Sequence, residues 1–203
     1  MSDKKEIKVV LVGESQTGKT SLLNRFRGEQ FDENTKSTIG ASCHNLELEY
    51  KGKPMVFQIW DTAGDEKYHS INRYFYKDAS VVIIVYDITS PYTFDCIQNY
   101  WIEEIKNKTN TNPICFIVAN KSDLFAEEAV NEKEVREFAE KNNALFYSIS
   151  CKDGSGIKEL KIGMATTYAS KSQEIKINNG NGKNIVIDKK HFRDERDKEK
   201  KCC

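Results

Sequence analysis

The chain carries no net charge: 31 Lys/Arg stand against 31 Asp/Glu. That balance excludes the whole-molecule basic field with which a protein grips nucleic acid, so no nucleic-acid partner is expected. It also lacks any run approaching the roughly 20 apolar residues of a membrane-spanning helix. The opening, MSDKKEIKVVLVG, has only a short apolar stretch that runs into a first motif, so a strand is expected there rather than a secretion signal. Of six cysteines, Cys43, Cys96, Cys115 and Cys151 are scattered singly in or near apolar segments without zinc-binding spacing. They read as buried, reduced thiols of a cytosolic protein. Cys202 and Cys203 form the terminal pair.

What is present is an alternation. Strands are expected at Ile7–Gly13, Met55–Asp61, Ser80–Asp87, Pro113–Asn120 and Ala144–Ser150, all rich in β-branched and aromatic residues. Helical patterns fall between them, at Gly18–Arg27, Glu66–Lys77, Pro91–Lys108, Asn131–Asn142 and Ser155–Ser170. Alternating residues on both sides of a Lys-Gly-Lys turn, from Cys43 to Asp61, predict one antiparallel hairpin. The expected fold is α/β, a mostly parallel sheet covered on both faces, with ligand at the carboxyl ends of its strands. After Ser170 the composition turns polar, Asn/Gly-rich and then densely charged, the pattern of a flexible tail. Ile185–Ile187 is its one apolar cluster.

GESQTGKT, Gly13 to Thr20, fits G-x-x-x-x-G-K-[ST] between an apolar strand and a helix. Gly13 and Gly18 permit the tight path along which the N–H groups of Glu14, Ser15, Gln16, Thr17 and Ser21 can face phosphate oxygens. Lys19 supplies a compact positive charge, and the Thr20 hydroxyl can ligate Mg²⁺. A chance Gly-rich turn is the alternative. NKSD, Asn120 to Asp123 with Lys121 between, follows the fourth strand. The Asp123 carboxylate can accept from both N1–H and N2–H of guanine, whereas adenine offers a lone pair at N1. SCK, Ser150–Cys151–Lys152, follows the last strand and could add a backbone donor to guanine O6.

In this order and spacing the motifs resemble the Ras superfamily of small GTPases, and within it the Rab family. The Rab likeness rests on STIG (Ser37–Gly40), WDTAG (Trp60–Gly64), IIVYDIT (Ile83–Thr89), NKSD and the two terminal cysteines. It implies a three-layer P-loop NTPase fold, a six-stranded sheet with one antiparallel strand, a domain over residues 1–170 and a hypervariable tail over 171–203. GTP/GDP and Mg²⁺ are the implied ligands, in a switch for vesicle and membrane trafficking. Phe31 resembles the aromatic that lies on the guanine ring; a plain surface or core aromatic is the alternative. Thr38 resembles the switch residue reaching Mg²⁺ and the γ-phosphate, Asp61 the holder of a Mg²⁺-bound water, and Gly64 the γ-phosphate sensor. An exchange factor, a GTPase-activating protein, an escort protein or GDP-dissociation inhibitor and effectors are the implied partners. Cys202 and Cys203 resemble geranylgeranylated ends, an anchor to the cytoplasmic face of an intracellular or plasma membrane with a cytosolic pool. Oxidation or metal capture by vicinal thiols is the alternative. From Lys171 onward ten Lys/Arg stand against six Asp/Glu, a balance of +4 that favours an anionic leaflet.

The chain departs from that pattern in three places. IGASC (Ile39–Cys43) replaces the usual I-G-V-D-F, which leaves effector identity unread. Gln16 stands where Gly or Ala is usual, and its side chain either crowds the phosphates or projects into solvent. Asp65 stands where the family carries the glutamine that orients the attacking water. An amide donates and accepts, so it can bridge water and γ-phosphate; an ionised carboxylate only accepts, and it adds negative charge. Asp65 as a cap for the following helix would leave the amide missing all the same. Loss of one such contact costs about 10²–10³ in rate, less where unaided turnover is already slow. Activating proteins of Rab GTPases bring both an arginine and a glutamine, so stimulated turnover can survive. A GTP-loaded scaffold that never cycles is the competing binding-module reading, and an ATP-dependent kinase or ATPase sharing only the loop is a third. Asp65→Gln is therefore expected to outrun the wild type in single-turnover GTP hydrolysis, and equal rates would remove the assignment.

Overall fold

The computed structural model describes residues 6–35, 38, 40–64 and 74–178, with side chains up to residue 172. Six strands form one sheet: β1 Glu6–Val12, β2 Ala41–Tyr50, β3 Lys53–Thr62, β4 Val81–Asp87, β5 Ile114–Asn120 and β6 Leu145–Ser148. Their order is β2-β3-β1-β4-β5-β6. Only the β2–β3 pair is antiparallel; β1–β3, β1–β4, β4–β5 and β5–β6 are parallel. This is the mostly parallel sheet that the alternation predicts. The hairpin turns at Lys51 and Gly52, both with positive φ (49° and 73°), the conformation that matches the strand twist in a two-residue turn.

The helices are α1 Lys19–Phe26, α2 Pro91–Cys96, α3 Ile102–Lys108, α4 Glu132–Lys141 and α5 Ile157–Asn178. Successive strand residues face opposite sides, and each side is covered. Val9, Leu11, Ile83, Val85, Phe116 and Val118 pack with Leu22, Phe26, Leu160 and Met164 of α1 and α5. Val10, Val12, Ile84, Tyr86 and Ile117 pack with Phe94, Trp101, Ile105, Val135 and Ala139 of the α2–α4 side. β4 is buried at all seven positions, as a central parallel strand demands. Pro91 opens α2 where its missing N–H costs nothing, and the Asn131 side chain caps α4 by accepting from Lys133 N–H.

Two expectations need correction. Pro91–Lys108 is not one regular helix: a π-helical turn, Ile97–Trp101, separates α2 from α3, and Ile102 N–H bonds back to the Ile97 carbonyl. The apolar spacing of this stretch reads the same with or without the wider turn, so periodicity could not reveal it. The last helix does not stop at Ser170 but runs to Asn178. KSQEIKI contains no glycine or proline, and the first strong breaker is the Asn-Asn-Gly that begins at Asn178. Contacts close the compact unit at Ala169. Of the expected helix Glu66–Lys77, residues 74–76 are helical and most of the rest lies outside the described residues. Among the described residues no helix is long and apolar enough to cross a membrane.

Candidate functional site

β1 ends at Val12, and the loop to α1 crosses the carboxyl edge of the sheet. Gly13 has φ 129°, and a Cβ there would collide with the Val85 carbonyl of β4. Gly18, at φ 94°, caps α1 and leaves no room for a Cβ beside Asn120. Both glycines are thus required by conformation and by close approach. Gln16 shares the left-handed conformation, φ 65°, without being glycine. Lys19 is only 6% exposed. Its Nζ donates to the carbonyls of Gly13 (2.8 Å) and Glu14 (2.7 Å), and Thr17 Oγ1 donates to the same Glu14 carbonyl. Burial lowers the Lys19 pKa to about 8, against the pull of Asp61 and Glu14.

Beside the lysine, three residues far apart in sequence converge. Thr20 Oγ1 lies 2.7 Å from Thr38 Oγ1 and donates to Asp61 Oδ2 at 2.8 Å. Thr38 Oγ1 also reaches Asp61 Oδ2, at 3.3 Å. Asp61 is 1% exposed, and its Oδ1 has no hydrogen-bond partner among the described residues. Burial raises its pKa, opposed by Thr20, Lys19, Thr38 and His44. Two hydroxyls and one carboxylate with an unsatisfied oxygen are hard donors that fit Mg²⁺. Among the described residues no three His, Cys, Asp or Glu gather into a metal cage. Such an ion would therefore take its remaining ligands from water and phosphate, the usual habit of Mg²⁺.

A cavity of about 660 Å³ runs from this cluster to the ends of β5 and β6. Ser15, Gln16, Gly18, Lys19, Thr20, Ser21, Thr38 and Gly64 line its loop end. Asn120, Lys121, Asp123, Cys151 and Lys152 line the other end, and Phe31 forms part of the wall while packing on the core. Asn120 ties the ends together: its Nδ2 donates to the Thr17 carbonyl (2.8 Å) and its Oδ1 accepts from Cys151 N–H (3.1 Å). Ser150 Oγ donates to Asp123 Oδ1 and accepts from Lys152 and Asp153 N–H. Lys121, itself left-handed at φ 68°, pairs with Asp87. Cys151 is buried, and burial pushes its thiol up to about 12, so it stays protonated and unreactive. The expectation of four buried thiols holds for it alone: Cys43 lies on the exposed row of the edge strand β2, and Cys96 and Cys115 are half-buried.

Several sequence-named residues stand behind the wall rather than on it. Gly13, Thr17, Asp61 and Ser150 act through the bonds just described. The Glu14 side chain is turned to Trp101, whose indole donates to Glu14 Oε1 at 3.0 Å. Asp65, with Ser37 and Ile39, lies outside the described residues, as do Cys202, Cys203 and Ile185–Ile187. Sequence reasoning missed Arg25, whose guanidinium donates to the carbonyls of Cys151 and Lys152, each at 2.6 Å, and so clasps the loop after β6 to α1. It missed Asp87 and Trp101 as well. Arg25 and Cys151 are separated by 126 residues, and no local pattern could announce such a bond. The Ras family model matches residues 8–170 of the chain.

The buried ammonium makes nucleotide-free protein sensitive to alkaline pH. Lys19 has a folded pKa near 8 against 10.5 unfolded, so between these values the unfolded chain holds more protons. Stability from this group therefore rises with pH across that window, and the cost is fully present below it. Between pH 8 and 10.5 the urea-unfolding free energy of wild type is expected to gain about 3 kcal/mol relative to Lys19→Met. A gap that stays constant over this range would refute the assignment.

Proposed function

From the premise that the chain belongs to the Ras family, whose members are small GTPase switches, we infer that it is a Rab-like GTPase of membrane trafficking with slow unaided hydrolysis. One observation carries the nucleotide reading: Thr20, Thr38 and Asp61 meet around an unpartnered carboxylate oxygen, next to buried Lys19. Asn120 and Asp123 stand at the far end of the same cavity.

GTP would lie along the cavity with its phosphates in the loop. Lys19 sets its charge against the β- and γ-phosphates, and backbone N–H groups from Glu14 to Ser21 face the remaining oxygens. Asp123 would accept from the guanine N1–H and N2–H, and Phe31 would cover the ring face. Mg²⁺ would be held by Thr20 and Thr38, with Asp61 acting through water, and would supply neutralisation of phosphate charge. Thr38 and the Gly64 N–H report the γ-phosphate. Gly64 runs so close to Lys19 and the Glu14–Ser15 peptide that any Cβ would collide with them. Loss of that phosphate removes the partner of both segments, which is how such loops switch.

Slow turnover follows from Asp65, which cannot donate to the γ-phosphate and adds charge beside it. The same residue favours a second reading, a constitutively GTP-bound scaffold; turnover with and without an activating protein separates the two. Cys202 and Cys203 are read as geranylgeranyl sites, since two chains give stable anchoring where one gives marginal binding. The membrane face, the exchange factor, the GDP-dissociation inhibitor and the effectors follow from the Rab likeness of the residues quoted above.

GTP is expected to displace a bound fluorescent guanine nucleotide while ATP does not, and Asp123→Ala should weaken GTP at least about a hundredfold. Equal competition by ATP would refute guanine recognition. Replacement of Cys202 and Cys203 by serine should leave nucleotide binding unchanged and move the protein wholly to the soluble fraction; membrane recovery of that variant would refute the anchor.

A further inference from the structure

Glu14 belongs to the phosphate loop, yet its side chain is fastened outside it. Its Oε1 accepts from Trp101 Nε1, and the two residues are 6% and 0% exposed. A buried indole N–H must find an acceptor. Here the acceptor lies 87 positions away on the loop that carries the site's chemistry. The carbonyl of the same residue receives both Lys19 Nζ and Thr17 Oγ1. Glu14 is thus the point where the lysine, the loop's own threonine and an outside helix all attach.

Trp101 comes from the π-helical turn Ile97–Trp101, between α2 and α3. An i→i+5 turn widens the helix and is common beside functional sites. Its ring is held edge-on by Tyr100, with centroids 5.0 Å apart, so the donor has little freedom to swing. Gly64 closely approaches the same Glu14–Ser15 peptide, without room for a Cβ. The residue whose side chain is tied to the indole thus also carries the peptide that Gly64 packs against.

We propose that Trp101 is a positioning residue for nucleotide retention: through Glu14 it fixes the carbonyl against which Lys19 is set. The ammonium then meets the phosphates in one place instead of several, which limits the freedom lost on binding. The proposal rests on the guanine-nucleotide reading above.

The test uses the full chain loaded with fluorescent GDP and chased with unlabelled GDP in millimolar Mg²⁺. Trp101→Phe keeps a ring but removes the donor, and release is expected to quicken about tenfold, the weight of one ordinary buried hydrogen bond. Glu14→Ala should release nucleotide at least as fast, since it also gives up a bond with the Cys96 thiol, and the double variant should be no faster than Glu14→Ala alone, because the two residues act as one link. Glu14→Gln retains an acceptor oxygen and should recover most of the retention lost in Glu14→Ala. The ratio of GDP to IDP affinity should stay constant throughout, since the Asp123 end is untouched; general loosening of the core would change it. Should Trp101→Phe fail to fold, the two Glu14 variants decide alone. Release that is unchanged in the variants, or additive in the double, overturns the proposal while the nucleotide reading stands. A wild type that takes up no fluorescent GDP sinks both.

Discussion

An ammonium group at 6% exposure must be surrounded by oxygen, and this requirement organises the site. Lys19 can be buried because the loop turns two carbonyls inward at Gly13 and Glu14. The loop can make that turn because Gly13 takes a conformation and a packing distance that no side chain permits beside β4. The neighbouring strands therefore fix the path of the loop, and the loop fixes the charge. Protein carbonyls satisfy the lysine only partly, since burial still depresses its pKa. An anion in the cavity would relieve the remainder. Binding and folding thus draw on the same electrostatic deficit.

The phosphate and base ends of the cavity are not independent modules. Asn120 bonds to the Thr17 carbonyl of the loop and to Cys151 N–H of the last β–α connection. Arg25, in the helix that follows the loop, holds the carbonyls of Cys151 and Lys152. Three segments distant in sequence are thereby closed into one ring of hydrogen bonds at one end of the cavity. Lys121 is pinned by Asp87, the last residue of β4, so even the outer rim is tied to the sheet. A ring of this kind resists piecemeal opening: loosening one link leaves buried polar groups unpaired at the next.

Which parts could be read from the sequence depends on whether their cause is local. The loop glycines, Lys19 and Thr20 were legible because a tight turn before a helix imposes its demands within eight residues. The hairpin was legible because alternation and turn chemistry are short-range, although Lys51 takes a left-handed place where glycine or asparagine is usual. The meeting of Thr20 with Asp61 was foreseen through family resemblance, not spacing. Arg25, Asp87 and Trp101 went unread because each matters through a partner that only packing brings near. The direction of the Glu14 side chain was hidden for the same reason, since its partner Trp101 lies 87 positions away. The π-helical turn adds a residue without disturbing the apolar spacing around it.

The outermost strand, β2, alternates cleanly between an inward row and an outward one. Leu46, Leu48 and Tyr50 pack against the core, while Cys43, Asn45, Glu47 and Glu49 are exposed. Among the described residues β2 pairs in the sheet with β3 alone and lines no part of the cavity. Its outward letters can therefore drift over generations with little cost to the fold or the chemistry. Lineages could retarget such a chain to new company while the timer inside it keeps its setting.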